Sequence, residues 1–178
     1  GMDMELLDWL EENAFPEEAR FAEQEYAAAA YRVFTDELTR SATTRACVFA
    51  TVHRPATLLL MELMEKAGLR GFVGKLNMDS NCPDYLRETT DGSLAETRRW
   101  LEESAGFSAV RPVITPRFIP SCSEELMNGL GELQREFGAA MQSHLSENLS
   151  EIEWVKQLRP WARFYGEAYS RPGLFGGE

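Results

Sequence analysis

Apolar and polar positions along the 178-residue chain change their period several times. In the first part, apolar side chains recur every three to four residues over Met4–Asn13 and Glu18–Leu38. This spacing is typical of helices that bury one face. Pro16 falls between the two segments and predicts a break there. Residues 1–40 are therefore predicted to form leading helices.

After residue 40, short apolar runs alternate with segments of helical period. The run Ala46–Val52 is rich in branched and aromatic side chains and shows no polar alternation, which predicts a strand covered on both faces. Four such strands are predicted, each followed by a helix. The strands are Ala46–Val52, Gly71–Leu76, Ala109–Thr115 and Ala139–His144, and the helices are Ala56–Ala67, Ser93–Ser104, Ser123–Phe137 and Leu149–Leu158, with a short helix at Trp161–Tyr169.

Several helix ends carry sequence signals of their own. Two predicted starts have a serine with a glutamate three residues later, which fits a capping box. These pairs are Ser93 with Glu96 and Ser121 with Glu124. Gly68 and Gly138 follow predicted helix ends and suit a left-handed C-terminal cap.

The spacing of the strands indicates successive β-α units of a parallel sheet. A closed eight-unit barrel needs about 200 to 250 residues, so four units predict either a small open sheet or part of a (β/α)8 barrel. We expect one α/β domain over residues 1–178, with the β-α units in residues 41–178. In both architectures the chemistry lies in loops after the carboxyl ends of the strands.

Composition narrows the classes of partner. The chain has 29 acidic and 18 basic side chains, a formal net charge of -11, so it would repel nucleic acid and anionic membranes. It has neither a long apolar run nor a basic and apolar leader, and we expect a cytoplasmic location. Cys47, Cys82 and Cys122 are odd in number and widely spaced, which favours reduced thiols.

Polar side chains lie at or just after the carboxyl end of every predicted strand: His53, then Lys75 and Asp79, then Arg117, then His144 and Glu147. Each has a structural interpretation beside a functional one. For His53 we favour a hydrogen-bonded structural role. Arg117 suits a positioned donor to a carbonyl or carboxylate, or an ion pair with Asp79 or Glu147. Lys75 and Asp79 can pair with each other.

His144 and Glu147 lie in the stretch QSHLSEN. The imidazole can bind a metal and the carboxylate can move protons. Alternatively, the histidine is satisfied by backbone groups and the glutamate complements a helix dipole. A catalytic zinc takes about three protein ligands, and this chain has 2 histidines on different strands. A complete metal site from this chain alone is not expected.

Four segments, in order and at consistent spacing, resemble the guanine deaminase family of the amidohydrolase superfamily. They are FATVH (Phe49–His53), VGKLNMD (Val73–Asp79), VITPRF (Val113–Phe118) and QSHLSENLSEIEWVK (Gln142–Lys156). The resemblance runs from about Leu6 to Leu174. It implies a zinc-dependent (β/α)8 barrel that hydrolyses guanine to xanthine and ammonia, of which this chain is the central part, strands two to five.

The resemblance also implies roles for individual residues. His144 matches the metal ligand after strand five, and Glu147 matches the glutamate that carries a proton from metal-bound water to the purine ring. Arg117 matches the purine-contacting arginine, and Phe118 can stack on the base or flank it. Ser41-Ala42 stand where the family has a glycine-threonine turn.

The family's other metal ligands, which follow strands one, six and eight, have no counterpart in this chain. We therefore expect zinc in the complete enzyme, none stably bound by this chain, and no activity of this chain alone. The alternatives are a non-catalytic α/β oligomerising module, or a fragment of another amidohydrolase acting on an aromatic amine or halide. Open strand edges and an apolar sheet face predict a homo-oligomer.

Overall fold

The computed structural model describes residues 4–174, so residues 1–3 and 175–178 of the predicted domain lie outside the described residues. The described chain begins with a nearly continuous helical segment. Its parts are α1 (Leu6–Trp9), a π-helical turn (Leu10–Ala14), α2 (Phe15–Ala19), a 3-10 turn (Arg20–Ala22) and α3 (Gln24–Arg40).

The predicted break at Pro16 is wrong. Pro16 lies in the first turn of α2. The π-helical turn directly before it shifts the hydrogen-bond spacing, so the missing N–H of proline does not end the helical backbone. The chain instead changes direction at Glu23, whose φ of -83° and ψ of 114° are extended.

The sheet is parallel, and its strands pair in chain order. The strands are β1 (Arg45–Phe49), β2 (Arg70–Gly74), β3 (Leu76–Asn77), β4 (Val110–Pro116) and β5 (Ala140–Met141). β1 pairs with β2, β4 pairs with both β2 and β3, and β5 pairs with β4. Gly71 aligns with Ala46 on one side and Val110 on the other. The order does not reverse as in a doubly wound sheet, which confirms an α/β partial barrel.

Three predicted strands differ in extent. The first ends at Phe49, three residues before the predicted end at Val52. The second is interrupted at Lys75, whose fully buried ammonium turns to Glu88 (2.7 Å) and to the carbonyl of Leu76 (3.0 Å). The fourth ends at Met141, although the Gln142 N–H still donates to the carbonyl of Ile114 at 3.0 Å.

The remaining helices flank the sheet. They are α4 (Arg54–Lys66), α5 (Thr90–Glu103), α6 (Glu124–Phe137), α7 (Leu149–Leu158) and α8 (Glu167–Ser170), with 3-10 turns at Ser104–Gly106 and Ile119–Ser121. α3 packs against α4. The main core includes the fully buried Leu60, Met64, Trp100 and Tyr169.

Helix starts were predicted less well than helix ends. The residues whose side chains cap α5, α6 and α7 are Thr89, Ser123 and Asn148. The predicted caps Ser93 and Ser121 are therefore wrong, and Ser93 instead lies inside α5. Gly68 and Gly138 have φ of 74° and 59°, which confirms the left-handed positions at the helix ends.

A second apolar cluster lies at the carboxyl ends of the strands and includes residues of the first helical segment. Its buried members are Leu10, Phe15, Val52, Leu76, Met78, Cys82, Leu86 and Phe118. The leading helices thus cover the edge of the sheet where chemistry is expected. No helix within residues 4–174 is long and apolar enough to cross a membrane.

Candidate functional site

The loops that follow β4 and β5 are joined through backbone groups. The N–H of His144 donates to the carbonyl of Arg117 at 3.2 Å, and Nδ1 of the His144 ring lies 2.8 Å from the same oxygen. The hydroxyl of Ser143 donates to the carbonyl of Pro116 at 2.7 Å. These contacts bring two of the predicted site residues together.

The contact of Nδ1 determines the tautomer of His144. A carbonyl oxygen can only accept, so Nδ1 carries the proton, and Nε2 of the neutral ring keeps its lone pair. Nε2 makes no hydrogen bond with any residue in the range 4–174. Metal-binding histidines are commonly oriented by such a backbone carbonyl. The ring also packs on Phe49, with 4.1 Å between the centroids.

Arg117 is held by a residue of the first helical segment. Its Nη1 donates to Glu18 at 2.5 Å, with side-chain exposures of 10% and 7%. The second oxygen of Glu18 accepts from the N–H of Val52 at 3.0 Å. The guanidinium also lies over the ring of Phe15, 4.8 Å from its centroid. The structural ion pair considered for Arg117 therefore exists, but its partner is neither Asp79 nor Glu147.

Glu147 is exposed and precedes α7. Its N–H donates to the buried carboxylate of Glu151 at 2.7 Å, while its own side chain makes no hydrogen bond within residues 4–174. The first-turn acid of α7 is Glu151. Glu147 itself lies directly before the N-cap Asn148, so the carboxylate inside the first turn of α7 is that of Glu151 and not that of Glu147.

These residues line one cavity of about 430 Å³. Phe118, which is 3% exposed, forms part of its wall together with Arg117, His144 and Glu147. The first helical segment closes another side. The other lining residues are Leu6, Trp9, Leu10, Asn13, Ala14, Glu17, Glu18, Phe21, Phe49, Ala50 and Leu76. The structure therefore brings all four predicted site residues to one space large enough for a small aromatic molecule.

The other polar strand-end residues lie elsewhere. The predicted pair of Lys75 with Asp79 is wrong, since Lys75 pairs with Glu88. Asp79 accepts hydrogen bonds from the N–H and the hydroxyl of Ser123, at 2.7 and 2.6 Å. Burial raises its pKa, but the hydrogen bonds from Ser123, Thr90 and Ser80 together outweigh burial and lower the pKa overall. Asp79 thus has a structural part in joining β3 to α6.

His53 lies at the start of α4, outside the cavity of Arg117 and His144. Burial lowers the pKa of its ring, and Nε2 is buried without a hydrogen-bond partner among residues 4–174. The hydrogen-bonded structural role predicted for its side chain is thus not observed in that range.

The donor set for a metal is incomplete within the part of the chain that the structure describes. Residues 4–174 contain no group of three or more histidine, cysteine, aspartate or glutamate side chains placed to hold one ion. His144 therefore stands as a single candidate ligand.

Sequence reasoning missed the residues that support the site. Glu18 lies 99 positions before Arg117, and no local signal links them. Glu151, Tyr165 and Tyr169 stand behind the loop of His144. The spacing of Asn148 and Glu151 is a cap signal that could have located the start of α7, since Asn148 accepts from the N–H of Glu151 at 2.8 Å.

Comparison with known proteins gives consistent matches. The sequence profile of the Amidohydrolase family matches residues 1–161. Guanine deaminase from Dictyostelium discoideum is 43% identical over 176 residues, and that from Homo sapiens is 41% identical over 178 residues. Each match covers 98% of this chain and 39% of the relative. The chain thus spans about two fifths of the length of these curated relatives.

A solved structure agrees with the sequence matches. The guanine deaminase from C. acetobutylicum, crystallised with guanine bound in its active site, superposes with a TM-score of 0.96 at 48% identity. The superposition covers 99% of this chain and 42% of that protein. With the family profile matching most of its length, this chain belongs to the amidohydrolase family, and it is similar throughout to a segment of guanine deaminases.

Proposed function

We propose that this chain forms the part of a guanine deaminase that binds the purine and transfers the proton, in the hydrolysis of guanine to xanthine and ammonia. The observation that carries the proposal is the single cavity shared by Arg117, Phe118, His144 and Glu147. The similarity to guanine deaminases supports it. It disfavours both a non-catalytic oligomerising module and an amidohydrolase of other specificity.

In this proposal each residue has a distinct task. Arg117 donates to the polar edge of the purine through nitrogens other than Nη1, which Glu18 holds. Phe118 offers an apolar wall for the ring. Glu147, exposed at the cavity, takes a proton from the attacking water and gives it to the purine ring.

We propose zinc as the cofactor of the complete enzyme, with His144 as one of its ligands. The fixed Nδ1 tautomer supports this assignment, because it leaves Nε2 for a metal. The donors within residues 4–174 do not complete a zinc site. We therefore propose that this chain alone neither binds zinc stably nor turns over guanine, and that the other ligands come from outside these residues.

A hybrid enzyme tests the proposal. Residues 4–174 would replace the matched segment of the C. acetobutylicum enzyme, to which they are 48% identical. We expect zinc binding and xanthine formation in the hybrid and neither in this chain alone, measured by metal analysis and chromatography. His144→Ala should lose zinc. Glu147→Gln should keep zinc and lose about 10²- to 10⁴-fold in kcat, the usual contribution of a general acid or base.

Two exposed residues supply matched controls. Glu153→Gln removes a carboxylate on α7 whose partner is Lys156 on the same helix, and should leave kcat unchanged. Arg117→Lys should raise KM, whereas Arg111→Lys on β4 should not. Turnover by this chain alone, or full activity of the Glu147→Gln hybrid, would contradict the proposal.

We also propose that this chain associates with further copies of itself. Within the described residues, β1 and β5 form the two edges of the sheet, and neither pairs on its outer side. Unpaired edges favour association. Light scattering that shows a monomer at micromolar concentration would contradict this. The cytoplasmic location and the lack of nucleic-acid and membrane partners stay predictions from the sequence.

A further inference from the structure

A buried carboxylate lies directly behind the loop that carries Glu147. Glu151, the third residue of α7, has no exposed surface. One of its oxygens accepts the N–H of Glu147 at 2.7 Å, and the other accepts the hydroxyl of Tyr165 at 2.5 Å. Burial of a carboxylate costs free energy, and here each of its two oxygens accepts a hydrogen bond from one donor.

The loop needs such support. Ser146, immediately before Glu147, has a φ of 56°, a left-handed value that a residue with a side chain keeps only when its surroundings hold it. The side chain of Glu147 makes no hydrogen bond within residues 4–174. The contacts that place this residue at the cavity are therefore those of its backbone.

A second tyrosine holds the other end of the loop. The hydroxyl of Tyr169 donates to the carbonyl of His144 at 2.7 Å. Tyr165 and Tyr169 are stacked, with 6.1 Å between ring centroids. Neither lines the cavity of Arg117 and His144. The hydroxyl of Tyr169 also lies 2.8 Å from that of Ser143. These contacts of the two tyrosines thus reach this site through the carbonyl of His144, the hydroxyl of Ser143 and the carboxylate of Glu151.

We propose that Glu151 and Tyr165 are positioning residues that fix the backbone of Glu147 and thereby aim its carboxylate at the reacting atoms. This rests on the proposed function, in which Glu147 moves the proton. The two residues do not touch the substrate. Their removal should affect the step that Glu147 serves and leave purine binding intact.

The test uses two substitutions in the hybrid enzyme. Tyr165→Phe removes one hydroxyl, and Glu151→Leu removes both acceptor oxygens at similar volume. We expect kcat to fall about 10-fold and about 100-fold respectively, with KM for guanine changed less than about twofold, because small misplacement of an acting group lowers the rate rather than binding. The exposed Tyr85→Phe and Glu153→Gln are the matched controls.

Combination with Glu147→Gln separates positioning from general structural damage. If Tyr165 acts through Glu147, then Tyr165→Phe should cause no further loss of kcat in the Glu147→Gln background. A full additive loss there, or a rise in KM in place of the fall in kcat, would overturn the proposal. Tyr165→Phe keeps the test valid if Glu151→Leu fails to fold.

A measurement on this chain itself keeps the proposal independent of activity. Hydrogen exchange of the Glu147 amide should be faster by about 10-fold or more in Glu151→Leu, since the N–H loses its acceptor. The amide of Leu126, which donates to Ser123, should be unchanged. If the unsubstituted hybrid is inactive but Glu151→Leu in this chain shows the faster exchange, the proposed function is contradicted and the positioning contact is supported. Unchanged exchange at Glu147 would overturn the contact.

Discussion

The ion pair between Glu18 and Arg117 gives the sharpest prediction for stability. Both side chains are at most 10% exposed, and Glu18→Ala would leave the guanidinium buried without its carboxylate. Removing one member of a buried pair costs about 3 to 5 kcal/mol. The N–H of Val52 would also lose its acceptor, which adds about 1 kcal/mol. We therefore expect a loss of about 4 to 6 kcal/mol, a large part of the stability of an ordinary domain.

The assay is urea unfolding followed by tryptophan fluorescence, with Glu17→Ala as the matched control. Glu17 is the neighbouring residue and contacts Arg20 at the surface, so Glu17→Ala should lower the free energy of unfolding far less. In the double variant Glu18→Ala with Arg117→Met, most of the lost stability should return, because no buried charge is left unpaired. Equal effects of Glu18→Ala and Glu17→Ala would refute the reasoning.

Three further predictions concern the support of the sheet. The pKa of Glu65 is lowered to about 2 from an ordinary 4.5 by backbone hydrogen bonds, first from Ser108. A carboxyl group whose pKa is lower in the folded than in the unfolded protein stabilises the fold above its unfolded pKa. The free energy of unfolding should therefore fall between about pH 5 and pH 2, and this fall should be absent in Glu65→Gln. Asp79→Asn should cost about 2 kcal/mol in urea unfolding, since its hydrogen bonds are charge-assisted. Gly74→Ala should lower the melting temperature and cost about 1 to 3 kcal/mol, because its Cβ would lie 1.8 Å from Oγ1 of Thr115; an unchanged melting curve would contradict this.

The strands were predictable from the sequence because a parallel sheet covered on both faces produces apolar runs. Three of the four runs gave one strand each. The exception, Gly71–Leu76, contains Lys75, and whether a lysine there faces solvent or is buried depends on Glu88, 13 positions away. Local pattern does not contain that information. The same holds for the π-helical turn that carries the helix past Pro16.

The grouping of the candidate residues was predictable as well. Arg117, Phe118, His144 and Glu147 were proposed from their place at strand ends and from the resemblance, and they line one cavity. Their support was not predictable, because it depends on tertiary contacts. Glu151 lies in the predicted helix Leu149–Leu158, and both tyrosines lie in the predicted helix Trp161–Tyr169, of which the structure forms only α8 (Glu167–Ser170). Neither segment carries a signal for the contacts that these side chains make.

Glu18 shows that the leading helices belong to the site. The sequence separates residues 1–40 from the β-α units. In the structure, however, the carboxylate of Glu18 in α2 holds Nη1 of Arg117 and accepts from the N–H of Val52 in the loop after β1. A guanidinium with one nitrogen fixed can rotate less about its side chain, so fewer conformers must be lost when a ligand binds. The pair also leaves no net charge at this position, which would suit the neutral purine of the proposed function better than an anion. If Arg117 binds the purine as proposed, the packing of the first helical segment and that binding are coupled through the carboxylate of Glu18.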